Sequence, residues 1–263
     1  MDLNLLDRVI VVTGAASGIG KSIARNLASE KAIVCIIDRN AAELEKFSEE
    51  LEKAGALVFQ LQAELTKYDE CAFAVGKILG RFGRINGLIN NAGLNDGVSL
   101  ENGDHESFID SLDKNVLHYR TMAELCFPSL KNTKGTIVNI CSKTGETGQG
   151  GTSGYAAANG ARLHLTKNWA DLFPSSGVRV NAVVIAECWT PQYEWWISQQ
   201  LNPKEKLQEI NAKIPLGNRM TTCQEIADTV LFLISPKSKG INGQWMHVDG
   251  GYVHLDRAAV NTR

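Results

Sequence analysis

The sequence predicts a single α/β domain over residues 1–263, a doubly wound parallel sheet with a small helical segment set above it. Three observations carry this expectation. Short apolar runs alternate with amphipathic stretches along most of the chain, a glycine-rich turn stands where the first apolar run meets the first amphipathic stretch, and an aspartate follows the second apolar run. Such alternation implies parallel strands joined by right-handed crossover helices.

Residues 8–13 (RVIVVT) are a continuous apolar run rich in valine and isoleucine, as a strand covered on both faces requires. Residues 18–29 follow with helical spacing, with Ile19, Ile23 and Leu27 on one face. Residues 32–37 read as a second buried strand, 41–54 as a second helix with Leu44, Phe47 and Leu51 inward, 57–61 as a third strand and 68–82 as a third helix. Further strands are expected at 88–90, 136–140, 178–184 and 244–248, with helices near 108–130 and 154–172. Residues 190–216 interrupt the alternation. They look helical, hold Trp195 and Trp196, and fall where such folds place a substrate lid over the carboxyl ends of the strands. No linker, repeat or low-complexity stretch divides the chain.

Composition excludes several classes of function. With 44% hydrophobic and 21% charged residues the chain is ordinary for a globular protein. A net charge of −2 gives no electrostatic footprint for nucleic acid or an anionic membrane. No apolar run reaches the roughly 18 residues of a membrane span, and the opening MDLNLLDR lacks the basic start and apolar core of a signal peptide. Six cysteines (Cys35, Cys71, Cys126, Cys141, Cys188 and Cys223) show no paired spacing and read as small core residues of a reducing compartment. The expectation is a cytoplasmic protein with neither nucleic acid nor membrane as partner. His105, His118 and His164 have no partners at metal-ligand spacing, so no metal is assigned.

The segment TGAASGIG, residues 13–20, has the pattern of a Rossmann-type dinucleotide turn. Gly14 allows the tight turn, and Gly18 and Gly20 let backbone and helix approach a pyrophosphate that the helix N-terminus stabilises. Asp38 follows 18 residues beyond Gly20, at the end of the second strand. A carboxylate there accepts hydrogen bonds from the adenosine ribose hydroxyls and repels a 2′-phosphate, which favours NAD over NADP. Two alternatives stay open: Asp38 as cap of the helix starting near Asn40, and Arg39 as partner of a 2′-phosphate.

NNAG follows the fourth strand at residues 90–93. Together with the glycine turn, Asn115, Ser142, Tyr155 and the terminal VDGG at 248–251, it makes the chain similar to the short-chain dehydrogenase/reductase family over nearly its whole length. The segments NAGLNDGV, SKTGETGQG, AECWTP, KIPLG and GGYVHLDRA resemble the L-fucose dehydrogenase group in particular, whose members oxidise the anomeric carbon of a 6-deoxy sugar to a lactone. The resemblance implies a cofactor site made of Gly14, Ser17, Gly18, Ile19, Gly20, Asp38, Arg39, Glu64, Leu65, Asn91, Ala92, Gly93, Ile185, Ala186, Cys188 and Thr190. Glu64 stands where the family more usually has Asp.

The resemblance also implies the chemistry. Oxidising an alcohol needs a base for its hydroxyl proton, and Tyr155 occupies the position of the family's tyrosine. Ser142 would orient the substrate oxygen, and Asn115, in a helix, would hold a water in the proton path. The family's fourth member is a lysine four residues after the tyrosine, but here that place is taken by Asn159. That lysine binds the nicotinamide ribose and lowers the pKa of the tyrosine. An ordinary phenol titrates near 10, so only about one part in a thousand is phenolate at pH 7. Bringing it near 7 amounts to roughly 4 kcal/mol. Asparagine carries no charge. Arg162 lies two turns beyond Tyr155, roughly 10 Å along the axis, and Lys143 is expected to point away from Ser142 across the strand, so neither is a convincing replacement. Three explanations remain for Asn159: slow catalysis with an alkaline optimum, lost catalysis, or an introduced substitution.

The turn at 185–187, Ile-Ala-Glu, replaces the family's Pro-Gly and frees Glu187 to face the substrate, the alternative being a solvated loop acid. Asn95, Gln149, Glu187, Trp189, Tyr193 and Trp196 are the candidate substrate contacts, polar groups for hydroxyls beside aromatic faces for sugar C–H groups. Asp96 and His254 join them from the resemblance. The expected enzyme is an NAD-dependent dehydrogenase of a secondary or anomeric alcohol, most readily an aldose such as L-fucose. The alternatives are a non-catalytic NAD(H)-binding protein, or a dehydrogenase of a hydroxysteroid or hydroxyacyl substrate. Family members are commonly homotetramers, and the stretch 251–258 is consistent with packing on a neighbour.

Overall fold

A computed structural model of the chain describes residues 2–254. Its elements in order are β1 (Val9–Thr13), α1 (Gly18–Ser29), β2 (Ile33–Asp38), α2 (Ala41–Lys53), β3 (Val58–Gln62), α3 (Tyr68–Phe82), β4 (Gly87–Asn90), α4 (His105–Leu112), α5 (His118–Thr133), β5 (Thr136–Ser142), α6 (Thr144–Thr147), α7 (Ser153–Leu172), β6 (Arg179–Ile185), α8 (Pro191–Ser198), α9 (Pro203–Ala212), α10 (Cys223–Ile234) and β7 (Trp245–Val248). A π-turn, Asp113–Leu117, joins α4 to α5.

All seven strands are parallel, in the order β3-β2-β1-β4-β5-β6-β7. The chain builds outward from β1 to β3, then returns to the other side of β1 with β4. That reversal opens a crevice at the carboxyl ends of β1 and β4, where doubly wound sheets bind their ligands.

Burial on both faces explains the unbroken apolar strands. Along β1, Ile10 and Val12 enter one core with Ile23 and Leu27 of α1, Phe47 of α2 and Ile226 of α10. Val9 and Val11 enter the other with Ile78 of α3, Cys126 of α5 and Trp169 of α7. The side-chain period of two thus feeds two separate apolar layers.

Several elements differ from expectation. The sequence reading passed over α10, although Thr222 and Glu225 form a capping box at its start, a signal written in the chain as Thr-x-x-Glu. The helical stretch expected near 108–130 extends from His105 to Thr133 with the π-turn inside it. Residues 190–216 contain two helices, α8 and α9, each opening on proline at its first position. Part of the stretch 251–258 considered for subunit contacts, residues 255–258, lies outside the described residues. Among the described residues no helix is long and apolar enough to cross a membrane.

Candidate active site

Two positions of the turn between β1 and α1, Gly14 and Gly20, leave no room for a side chain. A Cβ on Gly20 would stand 2.1 Å from the Gly14 carbonyl oxygen, and Gly14 itself has φ +63°. Asn91 locks this turn to the end of β4, its amide donating to the carbonyls of Thr13 (2.9 Å) and Gly14 (3.1 Å). Thr13 Oγ1 accepts from the backbone N–H groups of Asn91 (2.9 Å) and Ala92 (3.2 Å). Gly20→Ala is expected to weaken NADH affinity at least about tenfold and to lower stability by about 1–3 kcal/mol, as overpacking against backbone does. Fluorescence titration with NADH and thermal unfolding check both.

Ser17 precedes α1 without a side-chain capping bond, and the first turn of α1 has no acidic residue. The N–H groups and dipole at that end therefore face the crevice ready for an anion. Asp38 is held in place from both sides. Its Oδ2 accepts from Ala16 N (3.0 Å) and its Oδ1 from Asn40 N (3.0 Å). The cap of α2 is Asn40, whose side chain accepts from Glu43 N, so the capping alternative for Asp38 falls away. Arg39 turns toward Glu64, 3.8 Å off. The start of α8 closes on the same crevice, since a Cβ on Gly18 would lie 3.6 Å from Thr190. Cys188 and Leu65 are buried, with Ile19, Ile185 and Ala186 half-buried nearby in sequence order. These residues fit an adenine dinucleotide: backbone donors at a helix start, a side-chain-free turn and a fixed carboxylate at the end of β2.

Ser142 closes β5 and is buried, while Tyr155 stands half-buried in the first turn of α7. Asn159 joins them. Its Oδ1 accepts from Ser142 N (2.8 Å) and its Nδ2 donates to the Tyr155 carbonyl (2.9 Å). The two hydroxyl-bearing residues are thereby one unit. Segment α6 is pressed against this join, since a Cβ on Gly145 would meet Asn159 C at 2.7 Å.

A buried positive charge stands three residues further along the helix. Arg162 is buried, and its Nη1 reaches back to Asn159 Oδ1 at 3.3 Å and to the Ile140 carbonyl at 3.3 Å. Its Nη2 lies 3.3 Å from Asn115 Oδ1, its Nε donates to the Asn115 carbonyl, and its guanidinium covers the Tyr119 ring at 4.1 Å. The two-turn axial separation from Tyr155 was sound, but helical side chains lean toward the N-terminus, and arginine is long enough to use that lean. Gly93 makes room, because a Cβ there would stand 2.9 Å from Arg162 Nη2. Among the described residues no carboxylate pairs with this guanidinium; its partners are carbonyl oxygens, two asparagine amides and an aromatic face. Burial, reinforced by the Arg162 charge, holds nearby His118 down to about 3, which keeps it neutral.

Asn115 sits in the π-turn rather than in a regular helix. Its side chain is committed to the loop after β4, accepting from Leu94 N (2.8 Å) and donating to the Leu94 carbonyl (2.9 Å). Its own carbonyl is engaged by Arg162.

Lys143 corrects a second expectation. The chain leaves the strand at Ser142, and Lys143 already has helical dihedrals (φ −49°, ψ −28°), so pleat alternation no longer governs it. Its ammonium turns inward, 2.5 Å from Glu187 and 3.5 Å from the centre of the Tyr252 ring. Glu187 is therefore not the free carboxylate expected. Tyr193 joins it from the other side, and burial first, then this carboxylate, pushes the Tyr193 phenol upward. Tyr193 packs edge-on against Trp196 (centroids 5.4 Å) and faces Trp189 at 6.5 Å, both tryptophans being half exposed. Asn95 and Gln149 are exposed on loops. Asn95 caps the turn at Gly97 and Asp96 accepts from Ser111, so these polar groups are at least partly engaged in shaping their own loop.

Sequence reasoning missed Lys143 and Arg162 as site residues, and passed over Tyr252. Arg162 carried a readable signal: 155, 159, 162 and 166 share one face of α7, and Asn159, Arg162 and Thr166 are a buried polar stripe. As a whole the arrangement offers a phenol, a serine hydroxyl and a buried cation at the carboxyl edge of the sheet, groups suited to binding an alcohol or carbonyl oxygen and exchanging its proton.

Comparison with known proteins agrees with this geometry. The family model described as enoyl-(acyl carrier protein) reductase matches residues 14–253. A 3-oxoacyl-acyl-carrier-protein reductase FabG of Thermotoga maritima is 31% identical over 252 residues, which are 95% of this chain and 100% of that one. An L-fucose dehydrogenase of Oryctolagus cuniculus is 34% identical over 245 residues, 93% of this chain and 84% of that one. The crystal structure of Cj0485 dehydrogenase shares the fold with a TM-score of 0.94 at 43% identity, covering 98% of each chain. In sequence and in fold, this chain belongs to the short-chain dehydrogenase/reductase family.

Proposed function

We propose that this short-chain oxidoreductase is an NAD-dependent dehydrogenase of a secondary or anomeric alcohol, with an aldose such as L-fucose as the favoured substrate. The observation that carries the sugar reading is the cluster that follows Ser142: the Lys143–Glu187 ion pair, with Lys143 over the Tyr252 ring and Glu187 bonded to Tyr193, on which Trp189 and Trp196 pack. Fixed charges and phenols suit several hydroxyls, and aromatic faces suit the C–H side of a sugar ring. The relatives include both a sugar dehydrogenase and acyl-carrier reductases, so this cluster is the discriminating feature.

Gly14, Ser17, Gly18, Gly20, Asp38, Asn91–Gly93 and the 185–190 loop would hold the dinucleotide, whose nicotinamide, when bound, accepts or returns a hydride. The fixed Asp38 carboxylate favours ribose hydroxyls over a 2′-phosphate, which supports NAD. Tyr155 takes the hydroxyl proton, Ser142 orients the oxygen, and Asn159 keeps the two in register. Arg162 supplies the positive charge that the family's lysine would bring, displaced by three positions. Helices α8 and α9 form the substrate lid.

A panel assay followed by NADH absorbance tests the reading. L-Fucose and related aldoses with NAD⁺ are expected to turn over, with NADP⁺ at least about tenfold poorer. Turnover of hydroxyacyl thioesters or hydroxysteroids alone, or dinucleotide binding with no alcohol oxidised, would reject it.

A further inference from the structure

Three side chains distant in sequence converge at the edge of the sheet. Glu146 of α6, His247 of β7 and His254 in the turn after β7 each bring a ligand-type atom within 4.8 Å of the other two. His247 Nε2 lies 2.7 Å from Glu146 Oε1, and the imidazoles of His247 and His254 meet edge to face with centroids 4.4 Å apart.

The turn that returns His254 to this point is firmly anchored. Asp249 is buried, its Oδ1 accepting from Gly251 N (2.8 Å) and its Oδ2 from Val253 N (2.9 Å). Gly250 and Gly251 take φ +62° and +82°, and a Cβ on Gly250 would press on Ile214 at 2.7 Å. On the other side, α6 is fixed by its close approach to α7 at Gly145. A carboxylate–imidazole hydrogen bond needs no second imidazole, yet a rigid turn delivers one.

We propose that Glu146, His247 and His254 form a binding site for a divalent transition-metal ion of the zinc class. Two imidazoles and a carboxylate are a donor set that zinc favours, with water completing the coordination. Tetrahedral zinc at about 2.0–2.1 Å from its donors requires donor separations of about 3.3–3.4 Å. The present spread reaches that by rotation of Glu146 and His254, both exposed. The ion takes the place of the proton shared between Glu146 and His247. It ties α6, which starts two residues after Ser142, to the last strand of the sheet, so its effect is on the stability of that corner. The spacing of the three residues along the chain gave no sign of the set; only the fold assembles it.

The test uses full-length protein without a polyhistidine tag, stripped with EDTA, dialysed and titrated with zinc chloride by calorimetry. One equivalent per chain is expected. Zinc at 100 times the measured Kd is expected to raise Tm by roughly 5–8 °C, and cobalt(II) is expected to give visible absorption bands of a low-symmetry nitrogen–oxygen site. His247→Ala and His254→Ala should each weaken zinc binding by about 100-fold or more, beyond what outer-shell partners contribute. Their Tm in EDTA should match that of the parent, which shows that both variants fold. Absence of stoichiometric zinc uptake by the parent, or uptake unchanged in both histidine variants, would overturn the proposal.

Discussion

Tyr155→Phe is expected to lower kcat by about 10³-fold while leaving NADH affinity within about twofold. The substitution removes the one group at the start of α7 able to exchange a proton with a substrate hydroxyl, and positioned acid–base groups contribute about 10²–10⁴-fold. The join to Ser142 survives, because Asn159 bonds the Tyr155 carbonyl and not its phenol. Steady-state kinetics with NADH fluorescence titration checks both parts. A loss of cofactor affinity in parallel with kcat would mean that the phenol serves binding and that the proton is taken elsewhere.

Arg162→Met is expected to lower kcat/KM on the order of 10²-fold while Tm stays unchanged or rises. The two outcomes together separate a functional cation from a structural one. Removing a charge worth about 3 kcal/mol in a site of low polarity accounts for the loss of rate. Stability is expected to move the other way. A buried guanidinium without a carboxylate partner recovers only part of the cost of leaving water through its neutral acceptors, and most of the acceptors it serves retain another donor. Asn159 Oδ1 keeps Ser142 N, Asn115 Oδ1 keeps Leu94 N, and the Ile140 carbonyl keeps the Tyr119 hydroxyl at 2.9 Å. Methionine fills the same volume without strain. If Tm instead falls by several degrees with kcat/KM unchanged, Arg162 is a packing residue only.

The doubly wound sheet was legible because its signals are local. Apolar strands, helical stripes and a glycine turn at residues 13–20 each follow from a few adjacent residues, and the observed strand limits differ from expectation by one or two positions. The glycine turn at the end of β1 was legible for the same reason, since Gly14 and Gly20 are required by backbone geometry and Asp38 closes β2 as its position predicts. The charge distribution was not. Whether Lys143 points in or out depends on where β5 stops, and the strand extends to Ser142, two residues past the expected end. Whether Arg162 reaches Asn159 depends on side-chain lean and on the space that Gly93 leaves, a contact between residues 69 positions apart. Glu187 was expected to be free, and the tie to Lys143 that engages it spans 44 positions. Local pattern specifies the scaffold; long side chains crossing between loops specify the site.

If Arg162 supplies the charge that a lysine at position 159 would bring, exchanging the two positions should preserve activity. Asn159→Lys alone sets an ammonium beside the Arg162 guanidinium, a repulsion of up to about 4 kcal/mol at 4 Å separation, and is expected to lower both Tm and kcat/KM. Arg162→Met alone is expected to lower kcat/KM only. The account predicts that Asn159→Lys/Arg162→Met recovers kcat/KM to within about tenfold of the parent and restores Tm, with strong positive coupling between the sites. A double variant no more active than the Arg162→Met single, or single effects that simply add, would contradict it.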